Sequence, residues 1–422
     1  MNSRPRQRVL THLLGATCLA AGAMAALLLT AGRPANADEH LSLIAKIDVG
    51  GNGLGAFDIS YVDPAIGLYT LSDRTNASID LINAAGDSFI GRVGGFKGVV
   101  TVNGAVNNNL SGPDGNVIVD HKEVWAGDGD STMKVIDIAS RSITYTIPTG
   151  GQFRVDEMAW DRRDHLVAAA NDADTPPFIT FFDTKTHAVV GKVTFDGTNG
   201  TPNATGGIEQ TQWSPETGML YTSVPQIGPN AADGGVAVTD PKTMKVVAIY
   251  PVQNCSPAGL ALGPFHQALL GCSASFGTSP NILTQSVVMD ITNGNVVKNI
   301  KQIGGSDEVW YDRGSNHYYL AARSNETSTG TVMPELGFID AGINTFDGSV
   351  PTSTTAHSVA ANAPNRHVFV PIGFVPPGSP AGTDPTNPCP THGCIAVYVP
   401  SGPPDDQLIS QLLNHFLKQG GH

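Results

Sequence analysis

The chain has 422 residues, a formal net charge of −13 at pH 7 and only 14% charged residues. Its lysines and arginines form no concentrated cluster, which argues against nucleic acid and anionic membrane surfaces as partners, since both require one. With 48 glycines and 29 prolines, the composition is typical of a turn-rich, all-β protein.

Residues 1–37 have the pattern of a secretory signal peptide. Arg4, Arg6 and Arg8 precede an apolar stretch from 13 to 29, and Ala-Asn-Ala at 35–37 is a small-residue cleavage site. We therefore expect a periplasmic or secreted protein that is cleaved near position 37. The remaining chain has 20 Lys and Arg, which is 24 less the four arginines of this segment, against 37 Asp and Glu, and thus a formal charge of −17.

A sequence unit of about fifty residues then recurs seven times, a period typical of β-propellers with four short strands per blade. The opening strands of the units begin at Phe57, Gly115, Val155, Ile208, Pro257, Ser306 and Ala356. In each unit a second strand follows, and then a third that alternates and stops at a turn residue. Those stops, which we interpret as turn caps, are Asn83, Asp137, Asp183, Asp240, Asp290 and Asp340.

The seventh unit supplies only three strands, because the chain runs into proline and glycine after Val399. The missing outer strand is available at 41–50, whose sequence matches the fourth strands of other units. One blade assembled from both ends closes the ring and removes the exposed sheet edges. We predict an all-β fold, a single seven-bladed β-propeller of four-stranded antiparallel blades over residues 38–404, closed by this N-terminal strand.

Removal of residues 1–37 takes away Cys18 and leaves four cysteines, an even number that an oxidising compartment allows to pair. Cys255 and Cys272 flank a predicted hairpin in the fifth unit, and Cys389 and Cys394 close a short loop in the seventh. We predict two local disulfides with these pairings; the spacings disfavour the alternative of a metal site. A lipoprotein anchored at Cys18 is also disfavoured, because a threonine precedes it where Gly or Ala is needed.

The last segment, 405–422, predicts one short helix. Asp405 is its cap, and the apolar residues from Leu408 to Leu417 recur at helical spacing. The helix is too short to span a membrane, so no transmembrane segment is expected. We expect its apolar stripe to pack on the propeller itself, with packing on a partner as the alternative.

The repeat register predicts a functional site. When the first strands are aligned on their VD, WD and YD endings, one position at the start of the strand is occupied by Asp58, Gly115, Asp156, Glu209, Ala258, Asp307 and His357. In a closed ring these positions converge on one mouth of the central channel. Most long loops are predicted on the same side, which indicates a working face.

Two interpretations of this acidic ring compete. In the structural one, each side chain accepts backbone N–H bonds from a neighbouring connection. In the functional one, Asp58, Asp156, Glu209, Asp307 and His357 bind a divalent metal, calcium most of all, because carboxylates suit hard cations. Glu157 and Glu308 add to the acidic mouth. Arg74 and Arg323, at the ends of second strands, are candidate anion ligands but are more often salt-bridge partners of such carboxylates.

Three segments, KVIDIASR, FFDTKTHAVVGKV and HSVAANAPNRHVFVP, resemble blades of the YVTN-type secreted propellers of bacteria. The resemblance covers nearly all of the chain after residue 37 and implies the fold, but no activity. More distantly, the chain is similar to gluconolactonase-like and paraoxonase-like hydrolases, which hold calcium at the channel mouth. That similarity implies such parts for Asp156, Glu209 and Asp307, although the blade number and His357 depart from the gluconolactonase pattern.

Two functions of different class follow. The first is a non-catalytic exported protein whose loop-rich face binds a small molecule or a protein. The second is a metal-dependent hydrolase of a lactone or another ester, in which Asp307 or His357 activates water. The absence of familiar hydrolase motifs favours the first, and the clustered carboxylates favour the second.

Overall fold

The computed structural model describes residues 40–273, 284–375 and 384–401. These residues form seven four-stranded antiparallel sheets, which we number as blades 1 to 7 in chain order. The first strands of neighbouring blades contact each other all the way round, so the sheets form a closed ring about a central channel. The fold prediction is therefore confirmed. The predicted signal peptide and the predicted C-terminal helix at 405–422 lie outside the described residues.

The strands of each blade are given from the channel outward. Blade 1 contains Ser60–Asp63, Leu68–Asp73, Ser78–Asn83 and Ser88–Gly94, and blade 2 contains Asn116–Val119, Glu123–Gly127, Thr132–Asp137 and Ser142–Pro148. Blade 3 contains Met158–Asp161, Leu166–Asn171, Phe178–Asp183 and Ala188–Thr194, and blade 4 contains Thr211–Trp213, Leu220–Val224, Gly234–Asp240 and Lys245–Val252. Blade 5 contains Pro257–Leu262, Gln267–Cys272, Ser286–Asp290 and Val296–Ile300. Blade 6 contains Val309–Asp312, His317–Ala322, Glu335–Asp340 and Thr345–Pro351, and blade 7 contains Ala360–Asn362, His367–Ile372, Cys394–Pro400 and Leu41–Ile47.

The strand positions within a blade differ in burial because neighbouring blades cover both faces of each sheet. All six residues of the second strand Leu68–Asp73 are buried, whereas the outermost strand Ser142–Pro148 is mostly exposed. The six predicted turn caps are confirmed: each side chain at the end of a third strand accepts backbone N–H bonds from the following turn. Asn83 Oδ1, for example, accepts from the next turn at 3.0 and 3.1 Å, and the other caps are Asp137, Asp183, Asp240, Asp290 and Asp340.

Blade 7 is built from both ends of the described chain, as predicted. Leu41–Ile47 pairs antiparallel with Cys394–Pro400, with Leu41 opposite Pro400 and Ile47 opposite Ile395. Leu41 and Ile47 are buried against the neighbouring strands, while the middle of the strand faces outward. This strand therefore covers the edge that the third strand of blade 7 would otherwise expose.

Both predicted disulfides are present. Cys255 and Cys272 join the start of the first strand of blade 5 to the end of its second strand, with Cα atoms 4.5 Å apart. Cys389 and Cys394, five positions apart, close a short loop that leads into the third strand of blade 7. Within the described ranges, no helix has the length and apolar character needed to cross a membrane.

An insertion lies between blades 1 and 2, which the sequence analysis did not predict. It contains a two-stranded hairpin, Thr101–Val102 with Ala105–Val106, and a 3₁₀ helix at Asn108–Leu110. The side chain of Asn107 caps this helix by accepting from the N–H of Asn109 at 3.1 Å. The insertion places Asn108 and Asn109 at one mouth of the channel.

Candidate ligand-binding site at the channel mouth

The five residues predicted from the repeat register line one cavity of about 470 Å³. Asp58, Asp156, Glu209, Asp307 and His357 lie where the chain enters, or is about to enter, the first strand of five different blades. The prediction that these side chains converge on one mouth of the channel is therefore confirmed, whereas their roles stay predictions.

Blade 2 contributes only Gly115 at the equivalent position, and the reason is steric. A Cβ atom there would lie 1.9 Å from the carbonyl oxygen of Asp156 in blade 3, so no larger residue fits without a backbone shift. The close approach of the two blades thus explains this gap in the ring of side chains.

Arg154 also lines the cavity, and the sequence analysis did not identify it. Its guanidinium makes a two-pronged contact with Asp172, Nε to Oδ1 at 3.2 Å and Nη2 to Oδ2 at 2.8 Å. The same group lies 2.6 Å from Asp156 and 3.4 Å from Asp58. Its backbone N–H donates to the carbonyl of Asn109 at 2.9 Å, which ties the blade 1–2 insertion to this arginine. One cation therefore holds three carboxylates from three segments.

Arg74 is the second buried cation of the site. It contacts both Asp58 and Asp114, and its Nε donates to Asp114 at 3.0 Å. Burial alone would raise the pKa of Asp58, but Arg74, a hydrogen bond with His357, and Arg154 lower it below its ordinary value. Asp114 has the opposite balance: its burial outweighs the nearby guanidinium groups and raises its pKa well above the usual range.

Arg323 forms the third ion pair, with Asp307 at 2.7 Å, at a more open part of the mouth. The side chain of Arg323 is 40% exposed, compared with 6% for Arg74. The interpretation of Arg74 and Arg323 as salt-bridge partners of the acidic mouth is therefore confirmed.

Glu157 and Glu308 are hydrogen-bonded to each other inside the cavity. They belong to blades 3 and 6, which are not neighbours, so the bond crosses the channel. Burial raises the pKa of both carboxyl groups well above the usual range. The charge of Glu308 adds to the rise at Glu157, whereas the hydrogen bond from Glu157 opposes it at Glu308. A hydrogen bond between two carboxyl groups requires that one of them keeps its proton.

Gln210, the residue after Glu209, adds a second crossing contact at this level. Its side-chain oxygen accepts from the N–H of Leu260 at 2.6 Å and of Val309 at 3.3 Å, and its amide donates to the Val309 carbonyl at 3.2 Å. The side chain therefore reaches from blade 4 to the main chain of blades 5 and 6. Together with the Glu157–Glu308 pair, it forms a floor beneath the acidic cavity.

Glu209 differs from the other acidic residues. Its carboxyl group lines the cavity and has no hydrogen bond or ion pair with any residue that the structure describes. Burial, and then the charges of Asp307 and Asp172, raise its pKa well above the usual range. A cation that enters the cavity would therefore stabilise the ionised form of the Glu209 carboxyl group.

Neither sequence interpretation of the ring describes how its carboxylates are held. Among the described residues, no backbone N–H donates to the side chains of Asp58, Asp156, Glu209 or Asp307, so the backbone-cap interpretation is wrong. Arginine side chains hold three of these four carboxylates instead. The physical reason is that guanidinium groups from neighbouring loops reach the ring and neutralise charge as well as donating hydrogen bonds.

The donor set also fits a metal ion poorly. In the described ranges, no three His, Cys, Asp or Glu side chains have an arrangement that could hold a metal. Asp58, Asp156 and Asp307 are each ion-paired with arginine. His357 donates from Nδ1 to the carbonyl of Thr355 at 2.8 Å and stacks on Phe57 with ring centroids 4.6 Å apart. The calcium site and the catalytic roles of Asp307 and His357 thus remain predictions.

No protein-family model matches the chain, and no curated protein matches it. Among solved structures, it is similar to hydrazine synthase from Kuenenia stuttgartiensis, with a TM-score of 0.58 and 12% sequence identity. The similarity covers 75% of this chain and 92% of that one. At this level of identity it shows the propeller fold alone.

The buried carboxyl groups predict that the protein is more stable in mild acid than at pH 8. Burial raises the pKa values of Asp114, Asp156, Glu157, Glu209 and Glu308 in the folded state. Each such group stabilises the fold fully below its unfolded pKa, and that contribution is lost as the pH rises through the folded value. Asp58, whose pKa is lowered in the folded state, acts in the opposite direction, but only near and below pH 3.8.

We therefore expect the melting temperature to fall by several degrees between pH 5 and pH 8, as measured by scanning calorimetry. Glu157→Gln should flatten this dependence, because its amide still donates to Glu308 but does not ionise. Asp120→Asn, at an exposed aspartate that does not line the cavity and has no ion pair among the described residues, should leave the slope unchanged. A melting temperature that rises steadily from pH 5 to pH 8 would contradict the assigned pKa shifts.

Proposed function

We propose that this protein is an exported binding protein whose acidic cavity takes a small organic cation with one or two ammonium groups. The observation that carries the proposal is the excess of carboxyl groups over guanidinium groups in the cavity. Six carboxylic residues line it, namely Asp58, Asp156, Glu157, Glu209, Asp307 and Glu308, against Arg74, Arg154 and Arg323. Two further acidic residues outside the cavity lining are also ion-paired with these arginines, Asp114 with Arg74 and Asp172 with Arg154.

Glu209 is the carboxyl group that we expect to contact the ammonium group of the ligand. It lines the cavity without an ion-pair partner among the described residues, while Asp307 nearby shares only the exposed Arg323. An ammonium group donates three hydrogen bonds and carries a compact charge, so it suits separate carboxylate oxygens. Ligand entry would replace the repulsion between these carboxylates by attraction.

The size of the cavity supports a small molecule over a protein as the ligand. A volume of about 470 Å³ lies in the range of roughly 300 to 1,000 Å³ typical of small-molecule sites. The lining comes from several blades of a rigid ring and from the blade 1–2 insertion, which is the usual way such sites are built. The two disulfides are compatible with export, as is the YVTN-type resemblance.

The calcium-dependent lactone or ester hydrolase is the less supported function. It requires several carboxylates with free oxygens around one cation, whereas three of its four carboxylate ligands are ion-paired with arginine. Calcium therefore serves as the competing ligand in the test.

The test is titration of the purified mature protein with putrescine, a four-carbon diamine, by calorimetry and by thermal shift. Binding to the folded state alone stabilises by about 2.7 kcal/mol at a hundredfold excess over Kd, which is visible as a rise in melting temperature. Glu209→Gln should remove most of this shift, because it removes the one carboxyl group of the lining that has no described partner and that a cation would hold in its ionised form. Glu216→Gln, which leaves the cavity unchanged, should retain it.

Calcium chloride and 1,4-butanediol complete the design. The diol has the length of the diamine without its charge, so we expect no shift from it. A shift with calcium and none with putrescine would support the hydrolase instead. Failure of putrescine to bind at millimolar concentration, or binding that Glu209→Gln does not weaken, would contradict the proposal.

A further inference from the structure

A second cavity, of about 350 Å³, lies at the opposite end of the channel. The acidic cavity is lined by residues at the start of the first strands, whereas this one is lined by residues toward their ends. The first strands of blades 1 to 4 contribute Tyr61, Ile118, Trp160 and Trp213. The floor formed by Glu157, Glu308 and Gln210 lies between the two.

The walls of the second cavity combine aromatic and apolar side chains with polar ones. Met158 and Ile118 line it together with Tyr61, Trp160 and Trp213. The indole N–H groups of Trp160 and Trp213 are buried beneath the cavity surface, so a ligand would contact the rings and not these N–H groups. The aromatic rings therefore offer a packing surface for an apolar or aromatic group.

An arginine at the rim gives the second cavity its charge. Arg162 lines the cavity, and its guanidinium carbon lies 5.7 Å from the ring centroid of Trp213. It has no ion pair with any described residue. Arg163 lies at the same distance from that ring, but it is held by Asp164 at 3.0 Å and by the Gly218 carbonyl at 3.1 Å.

The acidic residue that lines this cavity, Asp63, does not neutralise Arg162. One oxygen of Asp63 lies 2.5 Å from His121 Nδ1, and the other accepts from the backbone N–H of Ala65 at 3.0 Å. The guanidinium of Arg162 thus remains available to an anion, in a protein whose overall charge is strongly negative.

We propose that this second cavity binds a small aromatic carboxylate. Its ring would pack against the tryptophan and tyrosine side chains, and its carboxylate would accept from Arg162. Aromatic rings gain most from such walls, and a carboxylate matches the fork of donors on a guanidinium group. The assignment is independent of the acidic cavity and of the function proposed for it.

The experiment is titration of the mature protein with 2-naphthoate by calorimetry, with quenching of tryptophan fluorescence as a second signal. The neutral 2-naphthamide is the matched control, because it has the same rings without the charge. We expect the naphthoate to bind at least tenfold more tightly than the amide. Equal affinity for the two would overturn the assignment of Arg162 as the anion ligand.

Variants separate the named contacts from general hydrophobic binding. Arg162→Gln should weaken naphthoate binding at least tenfold without changing the melting temperature, because the side chain is exposed. Arg163→Gln, one residue away and over the same ring, should bind like the unaltered protein. Glu209→Gln should also bind naphthoate normally, since it lies in the other cavity. No binding at millimolar concentration, or equal loss in both arginine variants, would overturn the proposal.

Discussion

Deletion of residues 40–49 is expected to abolish cooperative unfolding of the propeller. The deletion removes the buried side chains of Leu41, Ile47 and Val49 and exposes the edge of Cys394–Pro400. Burial of three such side chains stabilises by about 1.5–3 kcal/mol each. The loss is of the same order as the whole stability of a typical domain, about 5–15 kcal/mol. Scanning calorimetry of the protein from residue 38 onward, with and without residues 40–49, measures this loss.

Two point variants on the same strand control for a general effect of altering the N-terminus. Ile47→Ala should cost about 2–5 kcal/mol because its side chain is buried. Ile44→Ala, at a side chain that is 46% exposed, should change stability by less than about 0.5 kcal/mol. If the deleted protein still melts in one cooperative step at the original temperature, the closing strand does not stabilise the ring.

Replacement of Arg154 by Gln is expected to cost about 3–5 kcal/mol at pH 8, the range found when one partner of a buried ion pair is removed. The substitution leaves Asp156 and Asp172 without their guanidinium partner, and leaves Asp58 with Arg74 alone. The loss should be smaller at pH 5, because the pKa of Asp156 is already raised by burial and rises further without Arg154, so that this carboxyl group takes up a proton instead. Urea unfolding at both pH values measures the difference.

Arg323→Gln is the matched control, since it also breaks an arginine–carboxylate pair at the same mouth. That pair is much more exposed, so its loss should cost less than about 1 kcal/mol. Adding Asp156→Asn to Arg154→Gln should recover part of the stability by removing one unpaired charge. Equal losses in the two arginine variants, or a cost for Arg154→Gln that does not change with pH, would contradict the arrangement described here.

The sequence predicts the fold well because the same four-stranded arrangement, with the same burial pattern and turns, recurs in all seven blades. Every blade needs a buried second strand such as Leu68–Asp73 and a capped turn such as that at Asn83, so the pattern recurs at a fixed period. The same register located Asp58, Asp156 and Asp307, because equivalent positions in a closed ring must meet at one mouth.

Arg154 could not be predicted in the same way. Its partner Asp172 directly follows a second strand, the position that Arg74 and Arg323 occupy in blades 1 and 6. Asn109, which accepts from the backbone of Arg154, belongs to the insertion between blades 1 and 2. Arg154 stands two residues before Asp156, yet its guanidinium contacts are set by how these loops fold over the mouth. The strand register therefore identifies the ring of acids, and with it Arg74 and Arg323 at the ends of second strands, but not Arg154.

The pairing of Leu41–Ile47 with Cys394–Pro400 also sets the order in which the molecule can be completed. The closing strand is among the first parts of the propeller to be synthesised, and its partner is among the last. Blades 1 to 6 consist of local hairpins that can form as each is made, whereas blade 7 must wait for nearly the whole chain. Pairing between residues so distant in sequence is slow, so ring closure is the late step of folding. Until then the first-made strand and the last-made edge both remain open to other chains, which makes this the stage most exposed to aggregation.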